Sequence, residues 1–101
     1  MLEKNIEKRL IQPIKQLGGL CLKFVSPGYT GVPDRLILLP GGRVVFVETK
    51  QSGKKERPRQ VLVHGVLRNL GFTVYSTIDS PEKVDRIIDD CRRMVCNGER
   101  V

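Results

Sequence analysis

Three cysteines, Cys21, Cys91 and Cys96, make up the thiol inventory of this chain, and His64 is its one histidine. An odd number of cysteines cannot all pair internally, and none stands at a metal-ligand spacing from another cysteine or from His64. This argues against a disulfide scaffold and against a Cys/His metal module. Cys21 and Cys91 fall in apolar patterns and read as small core residues, which suits a reducing cytoplasm. Long apolar runs are missing too. None approaches the roughly 18 residues of a membrane span, and no signal peptide is legible, so the expectation is a chain neither secreted nor membrane-spanning. Repeats, linkers and low-complexity stretches are also missing, and 101 residues allow one domain, 1–101.

Acidic charge is in short supply. Eleven Asp and Glu face eighteen Lys and Arg, giving +7 and a pI near 9.7. Such basicity implies a polyanionic partner. With no basic amphipathic helix carrying an aromatic face, nucleic acid comes before membrane.

The chain is organised around residues 31–50, G-V-P-D-R-L-I-L-L-P-G-G-R-V-V-F-V-E-T-K. Two apolar runs, 36–39 and 44–47, flank Pro40-Gly41-Gly42, a β-hairpin signature with glycine where φ must be positive. A three-residue loop at 40–42 sets Leu39 opposite Arg43 and Asp34 opposite Glu48, with Cβ atoms of facing residues roughly 4.5–5.5 Å apart. A two-residue loop at 41–42 would set Arg35 there instead. Glu48 and Lys50 share a strand face, and Thr49 is expected to point away.

Facing carboxylates repel, and a divalent cation removes the conflict. Mg²⁺ prefers oxygen and is commonly held by one or two carboxylates plus water and phosphate oxygens. The Lys50 ammonium beside it could hold a phosphate or position water. That combination suits phosphodiester hydrolysis.

Pro33-Asp34 followed after thirteen residues by Glu48-Thr49-Lys50 resembles the PD-(D/E)xK nuclease superfamily. More narrowly, F-V-S-P-G-Y-T-G-V-P-D-R, P-G-G-R-V-V-F-V-E-T-K and the later P-R-Q resemble the VRR-NUC family of phage and bacterial replication-repair nucleases, over about residues 3 to 90. The resemblance implies that Asp34 and Glu48 hold the metal, that Lys50 is catalytic, and that Gln60 completes the site. It also implies a glutamate near the metal on the first helix, for which Glu7 aligns better than Glu3. Thr49 departs from the family pattern, which usually has an apolar residue there.

The remaining elements follow from period and punctuation. Residues 2–17 read as a helix with the stripe Ile6, Leu10, Ile14, Leu17, bent or shortened at Pro13 and stopped by Gly18-Gly19. Residues 20–25 read as a strand, followed by a Gly/Pro-rich loop in which Ser26 and Tyr29 could contact DNA. Beyond the hairpin a flexible basic stretch carries Lys54, Lys55, Arg57 and Arg59 against one acid, Glu56, and reads as a phosphate-contacting loop. Pro58 opens a helix that Gly71 closes, with Leu62, Val63, Val66, Leu67 and Leu70 as its expected buried face. Gln60 on its first turn could reach the site, whereas His64 reads as a surface or satisfied residue. Residues 72–77 form a strand that a right-handed crossover makes parallel to 43–49. Ser80 caps a last helix with the face Val84, Ile87, Ile88, Cys91, Val95, ended by Asn97-Gly98.

The expected fold is α/β (α+β) and PD-(D/E)xK-like: a mixed four-stranded sheet flanked by helices, in the order α-β-β-β-α-β-α. Both faces of 44–47 are apolar, which makes that strand central. The expected function is Mg²⁺- or Mn²⁺-dependent endonucleolytic cleavage of DNA. Asp34, Glu48 and the Thr49 carbonyl hold the ion, Lys50 acts on water and phosphate, and Gln60 and Glu7 assist. Four-way junctions offer paired strands, and small nucleases of the superfamily lacking extra domains work as dimers, so a homodimer acting on branched DNA is expected. The alternatives are a non-catalytic nucleic-acid-binding module and an RNA-processing nuclease on the same scaffold.

Overall fold

The computed structural model describes residues 3–97. Leu2 and Gly98, expected at the first start and the last stop, lie outside them. The elements are α1 (Glu3–Gln16), β1 (Leu20–Lys23), β2 (Arg35–Leu39), β3 (Arg43–Thr49), α2 (Pro58–Asn69), β4 (Thr73–Ile78) and α3 (Pro81–Cys96). This is the expected order.

The stripe of α1 is buried as its spacing requires: Ile6, Leu10 and Ile14 are all inaccessible to solvent. Pro13 does not end the helix, which continues to Gln16. Proline there forgoes one backbone bond and crowds the preceding turn, yet Ile14 just after it stays fully buried in the core. Gly18, at φ +88°, ends it, and the Gly19 N–H returns to the Ile14 carbonyl at 3.0 Å. A Cβ at Gly19 would stand 2.4 Å from the Leu38 carbonyl, so only glycine lets the helix hand over to β1 this close to β2.

The sheet order is β1-β2-β3-β4, antiparallel except for the parallel pair β3–β4 joined through α2. One face carries Ile37, Val45 and Val47 into a core shared with α1 and α3. The other carries Phe46, which sits between Phe24 and Phe72 with centroid distances of 5.8 and 5.4 Å. β3 is thus interior and apolar on both sides. β1 stops earlier than expected, although the Phe24 N–H still donates to the Asp34 carbonyl at 2.9 Å.

Helix α2 departs from its expected packing. Of the predicted buried face only Val63 is buried; Leu62 is 58%, Val66 38% and Leu70 69% exposed. The second inward residue is His64, fully buried. The helix meets chiefly β4 rather than crossing the sheet, so it covers a narrow strip and buries few residues. No described helix is long and apolar enough to cross a membrane.

β4 carries an irregularity beside the C-terminal end of β3. Val47 pairs with Tyr75 and Thr49 with Ile78, so two steps on β3 match three on β4. The extra residue is accommodated at Ser76–Thr77, where Thr77 adopts φ 55°, a left-handed conformation costly for a β-branched residue, about 1–3 kcal/mol.

Candidate active site

The hairpin register decides which side chains meet. Leu39 pairs with Arg43 and Arg35 with Val47 around the three-residue turn, and the next step sets Asp34 opposite Glu48. Gly41 and Gly42 take positive φ of 88° and 76°, as that turn demands. Asp34 and Glu48 therefore sit together at the end of β3, as the loop length implied.

Each carboxylate is held differently. Asp34 Oδ1 accepts from the Thr49 N–H at 2.9 Å and Oδ2 from the Thr49 hydroxyl at 2.5 Å. Thr49 thus does not point away from the site. It is fully buried, and its hydroxyl grips Asp34 where strand alternation gives out beside the β4 irregularity. Glu48 Oε2 lies 3.4 Å from Lys50 Nζ and accepts from Gln60 Nε2 at 3.2 Å. Gln60 Oε1 accepts from Lys50 Nζ at 2.9 Å and from the Arg57 N–H at 3.0 Å. Donors on one side and a carboxylate on the other dictate the orientation of this amide. Gln60, brought in by the first turn of α2, links Glu48, Lys50 and the basic loop.

Burial dominates the electrostatics. The Glu48 side chain is 6% exposed. Desolvation first, then the facing Asp34 charge, push its pKa up to about 7 against the opposing pull of Lys50. Asp34 is raised as well, chiefly by burial, with the two Thr49 hydrogen bonds pulling down and Glu7 pushing up. Glu7 is close enough to Asp34 to act on it, but its Oε1 is taken by Arg35 Nε at 3.0 Å in a largely buried pair.

The residues expected to contact nucleic acid lie in the two loops that flank this cluster in the chain and in the first turn of α2. Lys54, Lys55, Arg57 and Arg59 are exposed. Arg59 donates through Nε to the Thr30 carbonyl at 3.1 Å and lies 4.9 Å from the Tyr29 ring centroid, a cation–π contact joining the 26–31 loop to α2. Gly31, at φ +90°, lets the loop approach: a Cβ there would stand 2.9 Å from the Arg59 carbonyl. Ser26, half-buried, accepts the Tyr29 N–H at 3.2 Å through its carbonyl and shapes the turn.

Sequence reasoning missed a second polar cluster behind Gln60. His64 is not a surface residue. Its Nδ1 stands 2.7 Å from Glu56 Oε2 and 2.7 Å from Ser76 Oγ, which also accepts from Arg68 Nη2 at 2.8 Å. Burial holds the imidazole pKa below its usual value, Glu56 opposing and Arg68 and Lys50 reinforcing the shift. The one available signal was the isolated acid Glu56 in a basic loop. A hollow of about 580 Å³ lined by Arg43, Tyr75, Asp90 and Arg93 among others lies toward the opposite end of β3 and includes none of these residues.

The strand-end donors fit a hard divalent cation. Two carboxylates face each other in buried surroundings, all donors are oxygen, and one ammonium offsets two negative charges. Among the described residues no group of three or more His, Cys, Asp or Glu is gathered for a metal, so water and substrate oxygens would fill the remaining positions.

This fold with this strand-end constellation is that of a PD-(D/E)xK-type nuclease. No family model matches the chain. It is 49% identical over 72 residues to "Putative nuclease p44" of Acyrthosiphon pisum secondary endosymbiont phage 1, spanning 71% of this chain and 77% of that protein. A solved VRR_NUC domain matches it with a TM-score of 0.78 at 34% identity, over 86% of this chain and 94% of that one. The chain belongs to the VRR-NUC family of nucleases.

Proposed function

We propose that this nuclease is a Mg²⁺- or Mn²⁺-dependent endonuclease that hydrolyses DNA phosphodiester bonds, selects branched DNA, and acts as a homodimer of single-domain chains in a reducing cytoplasm. One observation carries the reading: Asp34 and Glu48 meet at a buried strand end, with Lys50 held beside them by Gln60. Asp34 and Glu48, with the Thr49 carbonyl, would hold the cation. When bound, it supplies positive charge to the phosphate and acidifies water.

The chain's own groups do the rest. Lys50 Nζ, 3.4 Å from Glu48 Oε2 and bonded to Gln60 Oε1, would donate to a phosphate oxygen and stabilise charge developing in the transition state. Gln60 keeps the ammonium aimed through its Oε1 and can offer its amide N–H to phosphate or water. Thr49 fixes the Asp34 carboxylate, so little reorganisation is needed on binding. Glu7 acts on Asp34 through its charge and is held back by Arg35. Lys54, Lys55, Arg57, Arg59 and Tyr29, with Ser26 shaping the loop, supply affinity along the backbone without reading sequence.

The test is a panel of labelled duplex, flap, splayed-arm and four-way DNA, with matched RNA, incubated with Mg²⁺, Mn²⁺ or EDTA. Cleavage of branched DNA that needs the cation is expected. Full activity in EDTA, or cleavage of RNA alone, would overturn the reading.

A further inference from the structure

Among the described residues two buried side-chain polar atoms lack a hydrogen-bond partner, Glu56 Oε2 and His64 Nε2, and Glu56 Oε2 lies 2.7 Å from the other nitrogen of the same ring, Nδ1. An acid and an imidazole buried together out of hydrogen-bond alignment are a poor way to build a core. Their placement suggests another use. Glu56 is the one acid in the loop that runs from Lys50 to α2, His64 lies one turn beyond Gln60 on α2, and Ser76 belongs to the irregular part of β4. A lone pair on Nδ1 would face the Glu56 carboxylate at 2.7 Å, so the proton belongs on Nδ1.

Helix α2 needs such a tie. Val61, Leu62, Val66 and Leu70 are exposed, so apolar packing alone does not set where its first turn sits. Next to Glu56 is Arg57, whose N–H donates to the same Gln60 Oε1 that takes the Lys50 ammonium. Whatever anchors Glu56 therefore anchors the donor that orients Gln60.

We propose that the Glu56–His64 contact is a latch that holds the basic loop 51–57 against α2 and thereby positions Gln60 and Lys50, making Glu56 and His64 positioning residues of the nuclease. The catalytic part rests on the function proposed above, but the latch can be tested without it.

Trypsin cuts fastest where an exposed segment is loosely held, so the rate of limited proteolysis after Lys54 and Lys55 in the free protein reads how firmly the latch holds the loop. Glu56→Ala and His64→Ala should each raise the cutting rate there by about 10-fold while other basic sites stay protected. The double variant should add little, because both changes break one contact. Glu56→Gln, which keeps a polar side chain of the same shape beside Nδ1, should restore part of the protection. On cleavable DNA the alanine variants should lose on the order of 10- to 100-fold in kcat, with KM changing far less. Loop cutting unchanged from wild type, or raised equally at every basic site, would overturn the latch. Should His64→Ala fail to fold, the two Glu56 variants decide the question by the same readouts. Absence of any cleavage by wild type would remove the nuclease reading and leave the proteolysis result standing.

Discussion

At Glu48, burial and the facing Asp34 outweigh the Lys50 ammonium and raise the carboxyl from 4.5 to about 7. Between those values the folded metal-free protein binds more protons than the unfolded chain, so this group lowers stability as pH rises through the window. In EDTA, Glu48→Gln should exceed wild type by about 2–3 kcal/mol at pH 8 and lose that advantage near pH 4. Urea denaturation at both pH values measures it, and parallel pH profiles for the two proteins would refute it. The same variant, like Asp34→Asn, should abolish cleavage while leaving DNA binding largely intact. Thr49 contributes differently. Thr49→Val removes the hydroxyl donor to Asp34 but keeps the backbone N–H. Stability of about 1 kcal/mol should be lost, and single-turnover cleavage should be slowed without being abolished. Equal rates in the two proteins would show the hydroxyl idle.

Among the elements, the proposed mechanism assigns chemistry to the end of β3 and affinity to the loop after it. Lys50→Ala should lower the rate by orders of magnitude and leave salt dependence nearly unchanged. Replacing Lys54 and Lys55 together should weaken binding and flatten the slope of log K against log salt by roughly 0.9 per lost phosphate contact. If both substitutions move the same quantity, the division of labour is wrong. The 26–31 loop depends on Gly31, where φ is +90° and a Cβ would meet Arg59 and Val63 at 2.9–3.0 Å. Gly31→Ala should cost about 1–3 kcal/mol and detach Tyr29 from Arg59, which melting temperature and binding affinity report together.

For the whole molecule, the uncovered part of the sheet bears on assembly. β1 is an edge strand, and Leu20 and Leu22 are 53% and 42% exposed, with Val25 beyond it at 70%. Sheet edges and apolar patches of this kind are normally covered. The proposed homodimer would use them, burying more than about 1,000 Å² in total. Light scattering should give about twice the 11.4 kDa chain mass. Leu20→Lys with Leu22→Lys should yield a monomer that no longer makes paired nicks on a four-way junction. A wild-type monomer at micromolar concentration would overturn the dimer and leave the nuclease untouched.

Much of this protein is written in local pattern. The stripe Ile6, Leu10, Ile14, the glycines at 41 and 42 and the Ser80 cap are short-range choices that backbone geometry enforces wherever they occur. Period-two alternation brings Asp34 and Glu48 together once the turn is three residues long, the alternative of the two open in the sequence that the pairing of Leu39 with Arg43 selects. Three features were decided only by tertiary packing. The inward face of α2 depends on how much sheet remains for the helix to cover, and apolar spacing along the helix carries no record of that area. Thr49 turns to Asp34 where β4 gains a residue against β3 at Ser76–Thr77, a mismatch between strands far apart in sequence. His64 is buried because Glu56 and Ser76 reach it from a loop and from β4, 8 and 12 residues away. Sequence determines what each segment can do alone, whereas an unpatterned polar residue takes its surroundings from whatever the packed sheet and helix bring against it.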